Sequence, residues 1–135
     1  VLFRSPLLGR TPKEVAIVEM WDRLAEWEGL MAVSEVFRNT HKLFAGRGLA
    51  GYDRDIAQIP ELAERGHLRL GLFFDKIDQQ LGSNEYLAGD TFSFADITAF
   101  CAIDFGISRR LPIPENCQNV LDWYGRVSAR PGVAP

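Results

Sequence analysis

Ser93 and Asp96 stand three residues apart inside the apolar run FSFADITAFCAI, where a hydroxyl and a carboxylate can serve one of two ends. A serine beside an acid is part of a nucleophilic triad, but that chemistry needs an imidazole to take the hydroxyl proton. Neither histidine, His41 or His67, is near in sequence. The other use is structural. With Ser93 as the N-cap of a helix, Asp96 is its third helical residue: the hydroxyl accepts from the Asp96 amide and the carboxylate from the Ser93 amide. A negative charge then lies at the positive end of the helix dipole. Phe92, just before the cap, falls opposite Ile97 as a hydrophobic staple. A helix start sunk in a core needs such bonds because water cannot supply them there, so the pair reads as a buried capping box.

Other arrangements have the residue types of a site without its context. Gly46-Arg47-Gly48-Leu49-Ala50-Gly51 matches G-x-G-x-x-G, which binds dinucleotides only between a strand and a helix start in a βαβ unit. Here it follows a helical pattern and precedes YDRDIAQIP, so it reads as a flexible connection. His41 and His67 have no matching cysteine or carboxylate pattern, and no metal site follows from them. Cys101 and Cys117 lack C-x-x-C spacing and lie in apolar stretches; they read as buried free thiols of a reducing cytoplasmic compartment. Arg109-Arg110 reads as a solvated loop dipeptide.

The elements that must position these residues are helices. Thr11-Pro12-Lys13-Glu14 is a capping box with proline at the first helical position. Ile17, Met20, Trp21, Leu24, Trp27 and Met31 then recur with the period of one buried face, and the spacing predicts a helix over 12–39. A glycine-rich segment follows. Pro60 opens a second long helix with the stripe Leu70, Phe73, Phe74, Ile77 and Leu81, and Gly82 stops it. A third runs from Ser93 to about Phe105. A fourth starts near Pro114 and carries Cys117, Val120, Leu121, Tyr124 and Val127 on one side. Trp21, Trp27 and Trp123 read as core or subunit-interface anchors. No period-two run marks a strand, and the expected fold is an all-α bundle.

Bulk properties agree. A compact chain of 135 residues buries roughly 68% of its unfolded surface, enough for one core without disulfides or metal. With 47% hydrophobic and 24% charged residues the composition is globular, and a net charge of −3 with interspersed signs leaves no footprint for nucleic acid or an anionic membrane. No stretch approaches the ~18 apolar residues of a membrane span, and VLFRSPLLGR lacks the features of a signal peptide.

The stretch YLAGDTFSFADITAF resembles the C-terminal domain of the glutathione transferases, which carry a G-D-x-x-S/T-x-A-D segment there. LLGRTPKEVAIVEMWDRLAEWEGL is similar to the family's interdomain connection and first long helix, FFDKIDQQLGSNEYLAGD to the end of its second, and WYGRVSARPGV to its closing segment. The resemblance implies a C-terminal helical domain over 11–135, with two long antiparallel helices and about three shorter ones. Residues 1–10 would be a truncated interdomain linker. Val1–Ser5 match no linker and read as an adapter-derived artefact. The thioredoxin-like domain that holds most of the family's glutathione site has no counterpart here.

What the resemblance implies for chemistry is attack of a glutathione thiolate on a small hydrophobic electrophile, with glutathione as co-substrate, no further cofactor, and a cytoplasmic homodimer. The helical domain would wall the electrophile pocket with the C-terminal half of its first helix: Ser34, Phe37 and Arg38 as substrate contacts, and His41 or Asn39 helping to polarise the thiol. The alternative for His41 is a solvated helix end. Glu26 or Glu28 would be the carboxylate that meets the γ-glutamyl amine across a dimer. A second use of such a domain is a non-catalytic protein-interaction scaffold.

Overall fold

Thr11 opens the first helix through the reciprocal bonds its sequence predicts. In the computed structural model, which describes residues 6–133, Thr11 Oγ1 accepts the Glu14 amide at 3.2 Å. The Glu14 carboxylate takes the amides of Arg10 and Thr11 at 2.7 and 3.3 Å. Those bonds, Arg10 first, hold the Glu14 carboxyl below the usual carboxylate range. Val1–Ser5 lie outside the described residues.

From that cap, α1 runs over Pro12–Leu24, passes into a π-helical stretch, Ala25–Leu30, and continues as α2, Met31–Thr40. The joints keep right-handed helical geometry, with φ −62° at Ala25 and −67° at Met31, so the three pieces form one rod. A short 3-10 turn, Lys42–Phe44, closes it. α3, Pro60–Leu81, returns antiparallel beside the rod, α4, Phe94–Ser108, crosses it at the π-helical stretch, and α5, Gln118–Ser128, lies on α3. Among the described residues the only β pairing is two isolated bridges, Arg47 with Ile56 and Tyr86 with Gly89. The chain is all-α, and no described helix is long and apolar enough to cross a membrane.

The core forms where large side chains of α3 meet small ones of the rod and α4. Leu70, Phe73, Phe74, Ile77 and Leu81 are all buried, as their spacing predicts; each contributes about 1.5–3 kcal/mol of apolar transfer free energy. α4 presents Ala95, Ala99, Ala102 and Gly106 on its buried side, which lets the helices approach closely. A Cβ added at Gly29 would stand 2.9 Å from Phe73 Cε1 and 3.4 Å from Ala102 Cβ. One at Gly66 would stand 2.9 Å from Val36 Cγ2 and 3.0 Å from Ala32 O.

That close packing turns the first helix relative to its predicted stripe. The buried face is Val18, Trp21, Asp22, Ala25, Gly29, Ala32, Val33 and Val36, while Met20, Trp27 and Met31 are 53%, 62% and 40% exposed. Where the rod meets Phe73 and α4 most closely, at Gly29, there is no room for a side chain, and the small residues Ala25 and Ala32 are buried on the same face. α5 also starts later than expected. Pro114 heads a turn, in which the Cys117 amide bonds to Pro114 O at 3.0 Å, and the helix begins at Gln118. Its N-terminus is capped from α3: Asp78 Oδ1 accepts Val120 N and Oδ2 accepts Asn119 Nδ2, each at 3.1 Å.

Candidate active site

Two helix ends meet to form the site. The C-terminal turn of α2 and that of α4 border a groove of about 430 Å³ lined by Val36, Phe37, Thr40, His41 and the Ser108–Arg110 turn. Phe37 is its aromatic floor, at 5.0 Å from the His41 ring, 5.1 Å from Phe44 and 5.7 Å from Phe105. The Arg109 guanidinium lies over Phe37 at 4.4 Å from the ring centroid and over Phe105 at 5.4 Å, distances at which a cation is attracted to the ring face.

The loop after α2 shapes this end. Gln58 Nε2 donates to Arg38 O and His41 O at 2.7 and 2.9 Å, and Ile59 N donates to Asn39 Oδ1 at 2.9 Å. Gly48 N bonds Ile56 O and Ile56 N bonds Gly46 O. The base of the glycine-rich segment, Gly46 to Gly48, is thus pinned to Ile56 and closes a clasp over the end of α2.

The sequence candidates separate accordingly. Asn39 is buried with its amide committed at both ends, Nδ2 to Glu35 O at 2.8 Å and Oδ1 to Ile59 N, so it anchors the clasp. His41 is exposed at the groove, its Nδ1 accepting the Leu43 amide at 3.3 Å. A neutral imidazole that accepts at Nδ1 carries its proton on Nε2, which leaves the ring a hydrogen-bond donor there. Phe37 lines the groove. Arg38 turns to the other side of the aromatic cluster, over Phe44 at 4.6 Å and donating to Arg47 O at 3.3 Å, and Ser34 is not among the lining residues.

Glu26 and Glu28 lie in the π-helical stretch, about 20 Å up the rod from His41 at an α-helical rise of ~1.5 Å per residue. Glu26 pairs with Arg23, and Glu28 with Lys76 at 2.6 Å. Arg69 donates to Trp27 O and pairs with Glu35 at 2.9 Å. These cross-links bring Leu72 of α3 into one hollow with Glu28, Arg69 and Lys76, and Trp27, Met31, Leu68 and Leu72 are all exposed.

Ser93 and Asp96 take up the capping-box arrangement at the start of α4 with both side chains buried. The carboxylate does more than close the box. Oδ2 accepts Ser93 N and Ser93 Oγ, both at 2.9 Å, and Oδ1 accepts Leu87 N and Trp123 Nε1, both at 3.0 Å. Phe92 finds Tyr86, edge-on at 5.7 Å, and Arg130, 3.9 Å over its ring. The thiols differ: Cys101 is exposed, and Cys117 is buried with its pKa pushed up by burial and then by Asp78 and Asp75. Among the described residues no group of three or more His, Cys, Asp or Glu is placed to hold a metal ion.

Sequence reasoning missed two features of these sites. Arg109 and Arg110 are groove residues, and Asp22 is a buried acid that accepts the Thr98 hydroxyl. Arg109 and Arg110 carry no local signal, because only the packing of α4 beside α2 brings them to Phe37. Asp22 did carry one: it lies on the face of Val18, Ala25 and Gly29.

The helical fold of this chain is shared with known proteins. The family described as "Glutathione S-transferase, C-terminal domain" matches residues 30–131, and the chain belongs to that family. It is 35% identical over 129 residues to glutathione S-transferase 2 of Saccharomyces cerevisiae, an alignment covering 94% of this chain and 52% of that protein. The crystal structure of Gtt2 from Saccharomyces cerevisiae superposes with a TM-score of 0.84 at 31% identity, covering 94% of this chain and 58% of the other. A glutathione S-transferase domain-containing protein of Marinobacter aquaeolei gives 0.80 at 35%, covering 95% and 60%. The chain thus spans about half the length of the curated relative.

Proposed function

We propose that this chain is the helical half of a glutathione transferase that conjugates glutathione to small hydrophobic electrophiles in the cytoplasm, with a thioredoxin-like domain supplying most of the glutathione site. The groove between α2 and α4 is the electrophile-pocket wall. The observation that carries this reading is an aromatic floor, Phe37, beside His41, a solvent-accessible donor. In the reaction the thiol proton leaves to solvent and the thiolate sulfur bonds the electrophilic carbon. With an aryl halide, the carbon–halogen bond breaks and halide departs with its electron pair. His41 favours the ionised sulfur by donating from Nε2, directly or through one water, since a donor aimed at developing negative charge lowers the cost of forming it. Asn39 holds the clasp that ends α2 and so sets where His41 stands. Arg38 positions Phe44 behind the floor.

The face of Trp27, Met31, Leu68 and Leu72 is the subunit contact of a homodimer, and Glu28 beside it is the carboxylate offered toward glutathione on the partner.

The test uses the protein encoded by the complete reading frame, with glutathione and a chloronitrobenzene. Turnover is expected, and His41→Ala should lower kcat by about ten- to a hundredfold, less than the roughly hundred- to thousandfold of an enclosed donor because His41 is exposed to water. The 135-residue chain alone should neither turn over nor be retained on immobilised glutathione. An inactive complete protein would favour the scaffold role, and full activity in the alanine variant would remove His41 from the site.

A further inference from the structure

The groove between α2 and α4 carries more positive charge than its position in the fold explains. Arg109 and Arg110 follow the C-terminal end of α4, where cations ordinarily cover unpaired carbonyls. Here three of the last four, those of Phe105, Gly106 and Ile107, already have partners. Gly106 O accepts Arg109 N at 2.8 Å and Leu111 N at 2.9 Å, Ile107 O accepts Arg110 N at 3.0 Å, and Phe105 O accepts Ser108 Oγ at 2.7 Å. Much of the end of α2 is closed in the same way. Val36 O takes Thr40 Oγ1, Phe37 O takes His41 N, and Gln58 covers Arg38 O and His41 O.

Charge arithmetic then decides the sign. Two helix ends of about half a negative charge each face two full guanidinium charges. No acidic residue lines the groove, and among the described residues neither arginine enters an ion pair. Arg109 is also already ordered, its guanidinium lying over Phe37 and Phe105, so little side-chain freedom is left to lose when a ligand arrives. Arg110 is held at φ 66°, the one described non-glycine residue with positive φ, and that turn sets it on the groove.

We infer that this groove selects electrophiles that carry a carboxylate on an aromatic ring, with Arg109 and Arg110 as the specificity-determining residues. The inference rests on the proposed reading of the groove as the electrophile pocket. Val36 and Phe37 take the ring body. The guanidiniums take the oxyanion, for which their planar donor forks are matched in shape and charge.

The probes are para-chloro-meta-nitrobenzoate and its primary amide, which differ in charge and hardly in size. Each is titrated into the isotope-labelled 135-residue chain and followed by NMR, without glutathione. The benzoate should bind about tenfold more tightly than the amide, the effect of a charge-assisted contact in a half-open groove, and added sodium chloride should weaken the benzoate alone. R109Q/R110Q should erase the difference while leaving amide affinity and helical content unchanged, and R109K/R110K should keep most of it. If R109Q/R110Q loses its helical signal, R110Q alone, which leaves the Arg109 stack in place, should cut the preference to about threefold, and an undiminished preference in it would overturn the inference. Equal affinities in the wild type, a preference that survives R109Q/R110Q, or no response to millimolar benzoate would overturn the inference. Because glutathione is absent, such a failure leaves the transferase reading standing. An inactive complete protein would sink that reading without touching the binding result.

Discussion

Replacing Asp96 by alanine probes the most heavily bonded side chain of the core. The carboxylate is 0% exposed and accepts from Ser93 N, Ser93 Oγ, Leu87 N and Trp123 Nε1. Its removal leaves three buried N–H donors without acceptors, while the hydroxyl can rotate away. An orphaned buried donor costs about 1–3 kcal/mol, so the gross penalty is about 3–9 kcal/mol. Two effects reduce it: the desolvation of a buried carboxylate is relieved, and a water entering the vacated space can serve one or two donors. A net loss of about 3–5 kcal/mol is expected, several times the ~1 kcal/mol of an ordinary exposed cap. In urea unfolding followed by far-ultraviolet circular dichroism, this moves the midpoint down by about 2 M for a slope near 2 kcal/mol/M. Asp96→Asn keeps the shape and the Oδ1 acceptor but turns an amide donor toward Ser93 N–H, and should lose roughly half as much. A loss below about 1 kcal/mol for the alanine variant, at unchanged slope, would refute the account of Asp96 as a shared buried acceptor.

The remaining expectations concern α5 and the exposed face of the rod. The Tyr124 phenol is pushed up to about 12 by burial and then by its hydrogen bond to Asp104. Its folded pKa therefore lies above the unfolded value of about 10. The stability it contributes is complete below pH ~10 and fades as pH rises toward 12; Tyr124→Phe should flatten that decline, and an equally steep decline in the variant would contradict it. Trp27→Glu places a carboxylate on a side chain that is 62% exposed. Sedimentation of the complete protein should show a dimer giving way to monomer with helical content unchanged, and an unaltered mass would remove that face as the subunit contact.

What could be read directly from the chain was what neighbouring residues decide among themselves. Thr11 with Glu14 and Ser93 with Asp96 are three apart, and both close as capping boxes. The α3 stripe was legible because five large side chains at helical spacing have only one side to share. Where size and partner disagreed, the reading failed. Met20, Trp27 and Met31 outweigh Ala25, Gly29 and Ala32 in hydrophobicity, yet the smaller residues face the core, and at Gly29 Phe73 and Ala102 leave no room for more. The π-helical stretch announces itself by no residue type, and the cap of α5 is lent by Asp78 from 42 residues upstream of Val120. The candidate site was half legible. Phe37 and His41 lie on a readable helix end, whereas Arg109 and Arg110 become part of a groove only after α4 has docked.

The bond between the Trp123 indole and Asp96 also makes the completed core depend on α5. A nascent chain that has released α1 to α4 but not α5 holds a sunken anion with one of its four donors still inside the ribosome. At that stage Asp78 lacks the two α5 groups it will later cap. α5, made after both acids, is thus the latch that brings Asp96 its fourth donor and Asp78 the two groups it caps.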